Sequence, residues 1–235
     1  SARGALRAGA GLVTLGVPGA ALLAHASRGP DALMIRRCTG AEGIEALLKD
    51  TRLNAVVLGP AHGVGAETRQ AVATVAASRR AAVLDADALT AFAGAAEDLA
   101  AITQDSGRIV LTPHAGEFSR LFEGQVFAGL PKLQAALGAA AMTGAVIVFK
   151  GPDTVIAAPD GRAAINTDAP VWLGTAGSGD VLAGIIGGLL AQGLPPFDAA
   201  RAGVWLHGAA GRHAGRGLIA DDLPEAVRAV LARLG

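Results

Sequence analysis

Five short stretches carry residue types and spacings that could do chemistry. The densest is Gly174-Thr-Ala-Gly-Ser-Gly-Asp180-Val-Leu-Ala-Gly184, where small residues lead directly into an apolar run. A helix starting there would leave the amides of residues 177–181 free at the positive end of its dipole, which is an anion site suited to phosphate. Asp180 in that position admits two roles. It is either an N-cap behind a glycine turn or a base that takes a proton from a hydroxyl attacking the bound phosphate. Gly184, Gly187 and Gly188 exceed what capping needs and suggest close packing of the helix against backbone.

Lys150-Gly151-Pro152-Asp153-Thr154 follows the apolar run Val146-Ile-Val-Phe149, so the lysine leaves the C-terminal end of a strand, where open α/β sheets bind ligands. Only three basic residues are lysines (Lys49, Lys132 and Lys150), so each asks for a reason. The segment lacks the Walker A spacing, and a solvated lysine at a loop start is the plain alternative. Leu111-Thr-Pro-His114-Ala-Gly-Glu117 likewise follows a strand and opens a helix. His114 and Glu117, three apart, share a helical face on which both could meet a polar ligand, or His114 is an ordinary helix-start residue. Leu58-Gly-Pro-Ala-His62-Gly63-Val-Gly65 allows close backbone approach. Asp85 and Asp87 end another strand and could hold a metal or cap the next helix, with capping preferred for Asp87.

These motifs need a frame that brings strand ends together. Apolar, β-branched runs at 12–17, 32–35, 55–58, 81–84, 109–111 and 145–149 alternate with helical stretches at 18–26, 41–49, 67–80, 88–93 and 131–142. Such alternation specifies βαβ units around a parallel sheet buried on both faces, hence a three-layer α/β/α fold with a mostly parallel central sheet. Runs at 154–157 and 163–165, joined by Pro159-Asp160-Gly161, read as a hairpin. Helices follow at 180–192, 197–214 and 224–234. Neither repeats nor composition shifts divide the chain, so residues 1–235 read as one domain. It opens inside a helical pattern at Ser1, as a fragment truncated at its N-terminus would.

Composition excludes whole classes. With 51% hydrophobic and 17% charged residues, the 235-residue chain can bury a large core and is no disordered segment. Twenty basic residues balance twenty acidic ones, which removes the basic footprint of nucleic-acid binding. The most apolar stretch, 181–190, is half the length of a membrane span, so no membrane partner is expected. One cysteine, Cys38, and no leader pattern point to a reducing cytoplasm. Five histidines without a close pair, and no cysteine cluster, give no tight zinc site; any metal is expected to be Mg²⁺ held by phosphates and water. Trp205 and His207 read as core.

Taken together and in order, Gly59-Pro60 with Gly63, Val83-Leu-Asp85-Ala-Asp87-Ala-Leu89, Leu111-Thr-Pro-His114 with Gly116-Glu117, Lys150-Gly with Thr154, and Thr175 with Gly177-Ser-Gly-Asp180-Val-Leu-Ala-Gly184 resemble the NAD(P)H-hydrate dehydratases. The resemblance covers nearly the whole chain. It implies a ribokinase-like fold and a nicotinamide-repair reaction. ADP, or less readily ATP, with Mg²⁺ phosphorylates the C6 hydroxyl of (6S)-hydrated NADH or NADPH, and loss of phosphate restores the reduced dinucleotide. Carried over by motif, Gly63, His114, Glu117 and Asp180 bind the hydrated dinucleotide, with Asp180 as the base. Lys150, Gly151, Pro152, Asp153, Thr154, Gly177, Ser178 and Gly179 hold the nucleotide. A homo-oligomer is expected, fused to or partnered with an epimerase as in the bifunctional bacterial proteins. Ala61, Ala115 and Ala176 depart from the family pattern of Gly, Pro and Gly at those places. The competing reading is a ribokinase-like kinase of a small alcohol.

Overall fold

The computed structural model describes residues 1–234. Its first part runs α1 (Ala2–Arg7), β1 (Val13–Val17), α2 (Leu22–Ala26), β2 (Leu33–Arg37), α3 (Gly40–Leu48), β3 (Ala55–Leu58), α4 (Ala66–Ala77), β4 (Ala81–Leu84), α5 (Asp87–Thr90) and α6 (Ala96–Thr103). It continues through β5 (Ile109–Leu111), α7 (Ala115–Leu121), α8 (Lys132–Thr143), β6 (Val146–Phe149), β7 (Thr154–Ala157), β8 (Ala163–Asn166), α9 (Ser178–Ala191), α10 (Pro196–Ala214) and α11 (Leu223–Leu231).

Six strands form the central sheet in sequence order, β3 to β8. The first four are parallel and β7 and β8 add antiparallel at one edge, so the mostly parallel sheet is as expected. Gly161, at φ +88°, makes the expected turn between β7 and β8. β1 and β2 do not join this sheet but pair with each other as a separate parallel ribbon. They leave the sequence looking like two more central strands because both are apolar and β-branched, and the pairing partner is a tertiary fact.

Alternate residues of the strands feed two cores. Ala82, Leu84, Ile109, Leu111 and Ile147 pack with α4 to α8. Val83, Val110, Val146 and Val148 face α9 and α10 on the opposite side. Burial on both faces is why these strands read as continuous apolar runs. The helix α9 is the exception to local propensity. Four glycines among its 14 residues make it a poor helix in isolation, at about 1 kcal/mol each relative to alanine.

Packing supplies the reason. A Cβ at Gly184 would lie 2.0 Å from the Ser1 carbonyl oxygen, and one at Gly188 2.7 Å from that of Ala5, so α1 and α9 touch backbone to backbone. Gly187 instead makes room for the Val57 side chain of β3, so only two of the three expected glycines serve backbone contact. Gly188→Ala separates the two effects by sign. Propensity alone would stabilise the variant by about 1 kcal/mol, whereas the lost approach to Ala5 should destabilise it by about 1–3 kcal/mol in chemical denaturation. A gain in stability would contradict the backbone contact.

Candidate active site

The C-terminal ends of β3 to β6 lie side by side, and their ladder hydrogen bonds continue past the strands. The Asp85 amide donates to the Leu58 carbonyl at 3.1 Å, the Thr112 amide to Leu84 at 3.1 Å, and the Lys150 amide to Pro113 at 2.8 Å. Gly59 has φ +127°, and a Cβ there would sit 1.7 Å from the Asp85 carbonyl oxygen, so no other residue lets the β3 loop cross the end of β4. Two alanines beside these loops adopt left-handed φ values, Ala61 at 56° and Ala86 at 49°. Ala61 thus occupies a backbone position that favours the glycine of the family pattern. With ψ −117°, Ala86 lies outside even the αL region, strain of about 1–3 kcal/mol of the kind found at functional sites. Ala176 carries no such φ, so its added methyl brings no backbone strain.

Lys150 is the hub of this surface. Its ammonium lies 2.8 Å from Asp85 Oδ1 and 3.8 Å from Glu117 Oε2, with all three side chains at most 18% exposed. A Cβ at Gly179 would stand 3.3 Å from Nζ, so the lysine head rests against the first turn of α9. Asp85 is therefore the partner of Lys150 and neither caps a helix nor joins a metal site; among the described residues, no group of three His, Cys, Asp or Glu is placed to hold a metal ion. Asp87 does not cap α5 either. Its Oδ2 accepts the Gly63 amide at 2.8 Å and fixes a glycine, φ +90°, whose Cβ direction opens on empty space.

His114 caps α7. Its Nδ1 accepts from the Gly116 amide at 3.0 Å and the Glu117 amide at 3.4 Å, while Glu117 Oε2 accepts the His114 amide at 2.9 Å. With Nδ1 accepting, neutral His114 carries its proton on Nε2, on a side chain 55% exposed. Glu117 is buried behind it. Its Oε2 serves the capping box and faces the ammonium, and its Oε1 lies 3.6 Å from His114 Nε2, so both oxygens are turned to His114 and Lys150.

The start of α9 is narrower than the sequence suggested. Gly177 is the N-cap, in the left-handed region at φ +82°. Val181 donates to the Gly177 carbonyl at 3.2 Å and Ser178 to Thr175 at 3.3 Å, so helix formation has already used two of the five expected amides. Those of Gly177, Gly179 and Asp180 have no hydrogen-bond partner among the described residues, and the last two lie within the helix's first turn. Asp180 is the third residue of the helix and makes no capping bond, since the cap lies three residues earlier. Its half-buried carboxyl is pushed above the ordinary carboxylate range. Burial is the main cause, the nearby Asp85 and Asp87 add to it, and Lys150 opposes it.

Ser178 offers backbone alone. Its hydroxyl is buried, 3.1 Å from Nε2 of His207 on α10. His207, read from the sequence as core, is buried here and pushed down to about 4, chiefly by burial, so it is neutral at physiological pH. In the loop after β6 the Gly151 amide donates to Thr154 Oγ1 at 3.2 Å, and that hydroxyl donates to the Gly151 carbonyl at 2.8 Å. Gly151, Pro152 and Asp153 are exposed. Lys132, a residue the motif reading did not place, binds the Asp153 carboxylate at 2.7 Å and its carbonyl at 2.8 Å, with its head over the Phe149 ring. The scarcity of lysine was the signal that could have found it. Two clefts of about 360 and 500 Å³ flank Trp205 on α10; both are shallow, and neither is lined by any of these residues.

Parallel strand ends facing a glycine-rich helix start, with a lysine between them, belong to a ribokinase-like α/β fold. A ribokinase-like protein of Enterococcus faecalis superposes with a TM-score of 0.81 at 24% identity, covering 99% of this chain and 80% of that one. The sequence pattern of the NAD(P)H-hydrate dehydratases matches residues 1–230, and the chain belongs to that family. A bifunctional NAD(P)H-hydrate repair enzyme of Moorella thermoacetica is 38% identical over 100% of this chain and 46% of its own length. An ADP-dependent (S)-NAD(P)H-hydrate dehydratase of Neisseria meningitidis is 41% identical over 78% of this chain and 65% of its own. The chain thus spans about half the length of the bifunctional relative. A Bacillus subtilis ADP/ATP-dependent NAD(P)H-hydrate dehydratase, co-crystallised with ATP and Mg²⁺, has a TM-score of 0.78 at 28% identity, covering 99% of this chain and 83% of that one.

The buried pair is testable by stability. Lys150→Met strands Asp85 without a partner and should cost roughly 3 kcal/mol in denaturation. The double variant with Asp85→Asn should recover at least half of the loss. A single variant as stable as the parent would contradict the role of the pair.

Proposed function

We propose that the chain dehydrates (6S)-hydrated NADH or NADPH in a nucleotide-dependent reaction and so restores the reduced dinucleotide. The observation that carries this reading is the Asp180 carboxylate, free of hydrogen bonds, in the same helical turn as two unpaired amides and beside the Lys150 ammonium. Hydroxide is a poor leaving group. The enzyme makes it a good one by moving a phosphoryl group from ADP, or from ATP, to the C6 oxygen.

Asp180 accepts the proton of the C6 hydroxyl as that oxygen attacks phosphorus, and AMP (or ADP) departs. The C6–O bond then breaks, with the ring nitrogen supplying electrons and phosphate leaving, and C5 loses a proton to form the ring double bond. Lys150 and the amides of Gly179 and Asp180 face the charge that develops on the transferred group. Gly63, held by Asp87, and the half-exposed ring of His114 receive the dinucleotide. Gly151 to Thr154, closed by the Thr154 hydroxyl and Lys132, receives the nucleotide.

Mg²⁺ fits this site as a companion of the phosphates, since among the described residues no group of three His, Cys, Asp or Glu is placed to hold it alone. When bound, it draws negative charge from the phosphoryl oxygens. We read residues 1–235 as one dehydratase domain, a homo-oligomer of a reducing cytoplasm. It works with an epimerase, fused or separate, that supplies the (6S) form.

Asp180→Asn tests the reading. With hydrated NADH and saturating ADP or ATP, recovery of the reduced-nicotinamide absorbance should slow by about 10² to 10⁴. The melting temperature should barely move, since the carboxylate caps nothing. Near-normal turnover would remove Asp180 from the chemistry. Because the base must be ionised, the parent rate should fall with acid through a pKa above the usual 3.8 of an aspartate; a limb at or below that value in the pH profile of kcat/KM would contradict the assignment.

A further inference from the structure

The first turn of α9 has to hold two amides and a carboxylate in register, yet its cap is a glycine with no side chain to brace it. Thr175, Ala176 and Gly177, which lead into it, are only half-buried or exposed. The bracing comes from another helix. His207 Nε2 on α10 lies 3.1 Å from both the hydroxyl and the carbonyl oxygen of Ser178, the first residue of α9. A carbonyl only accepts, so Nε2 carries the proton and the hydroxyl shares it as a second acceptor. Both residues are buried, at 5% and 8% exposure. The two helices meet closely at Gly203, where a Cβ would stand 2.6 Å from the Ile186 side chain.

We infer that His207 is a positioning residue: it clamps Ser178 to α10 and thereby aims the Gly179 and Asp180 amides at the transferred phosphoryl group and the Asp180 carboxylate at the hydroxyl that receives it. The inference rests on the proposed reaction for the identity of that group. His207 itself does not touch it. The imidazole stays neutral well below physiological pH, so it adds no cation of its own to the anion site. A histidine kept only for packing would be replaceable by an apolar residue of similar size. A clamp would not.

The test compares His207→Phe, which keeps a ring and loses the donor, with His207→Gln, whose amide nitrogen can reach the same oxygens. In calorimetry with ADP and Mg²⁺, the Phe variant should bind about tenfold more weakly, as loss of one buried hydrogen bond implies. Its kcat should fall by a similar factor while KM for hydrated NADH stays within about twofold. Gln should return both constants to within about threefold of the parent. Equal losses in Phe and Gln, or a Phe variant with parental ADP affinity, would overturn the clamp.

Should the Phe variant not fold, ¹⁵N-histidine NMR of the parent protein decides. A protected Hε2 signal that shifts when ADP and Mg²⁺ are added supports the clamp, and a signal that exchanges freely or ignores ADP overturns it. A parent protein that binds ADP but leaves hydrated NADH unchanged would sink the proposed reaction, with the variants still judged by their ADP affinity. One that binds neither ADP nor ATP would sink both.

Discussion

The Lys150–Asp85 ion pair is the contact on which the rest of the site depends. It joins the ends of β4 and β6, and the 3.8 Å approach of Glu117 extends it to the helix that follows β5. Both carboxylates stand where the chain does further work. Glu117 builds the capping box that orients His114, and the chain leaving Asp85 turns through strained Ala86 so that Asp87 can hold the Gly63 amide. A buried ammonium without these partners would be costly, and so would the carboxylates without it. The same charge lies against Gly179. One lysine therefore organises the strand ends and faces the helix start that receives phosphate.

On the other side of the site the problem is one of backbone. An anion hole needs unpaired amides, which means a helix start with nothing bulky before it. Glycine meets that need at residues 177 and 179 but weakens the helix, and two further glycines deepen the weakness so that α1 can approach. The helix α9 is held by burial against the sheet, against α10 and against α1 rather than by its own propensity. Asp180 sits in this half-buried turn with its carboxyl pushed upward, which brings a base of weak acidity close to the charge it must manage. Stability elsewhere in the fold makes this exposed chemistry tolerable.

The buried parallel strands were legible because each is apolar on both faces. β3, β4, β5 and β7 begin and end where the sequence placed them, at Ala55–Leu58, Ala81–Leu84, Ile109–Leu111 and Thr154–Ala157. The helix α6 was not seen, since Ala96–Thr103 continues an alanine-rich stretch without a clear start signal. The separate pairing of β1 with β2 depends on contacts that no local pattern encodes. In the site, the motifs marked the right loops, but local reasoning gave carboxylates local jobs. Asp87 looked like a helix cap and Asp180 like either a cap or a base, whereas one holds a glycine 24 residues away and the other caps nothing. The roles of His207 and Lys132 escaped local reading for the same reason, as their partners lie 29 and 21 residues distant.

The central claim is that phosphate is received at the start of α9. A crystal structure with ADP or ATP and Mg²⁺ tests it most directly. The expected result places phosphoryl oxygens within hydrogen-bonding distance of the Gly179 and Asp180 amides, with Lys150 Nζ turned to the same group. Phosphates lying more than one helical turn from Gly179 would contradict the account.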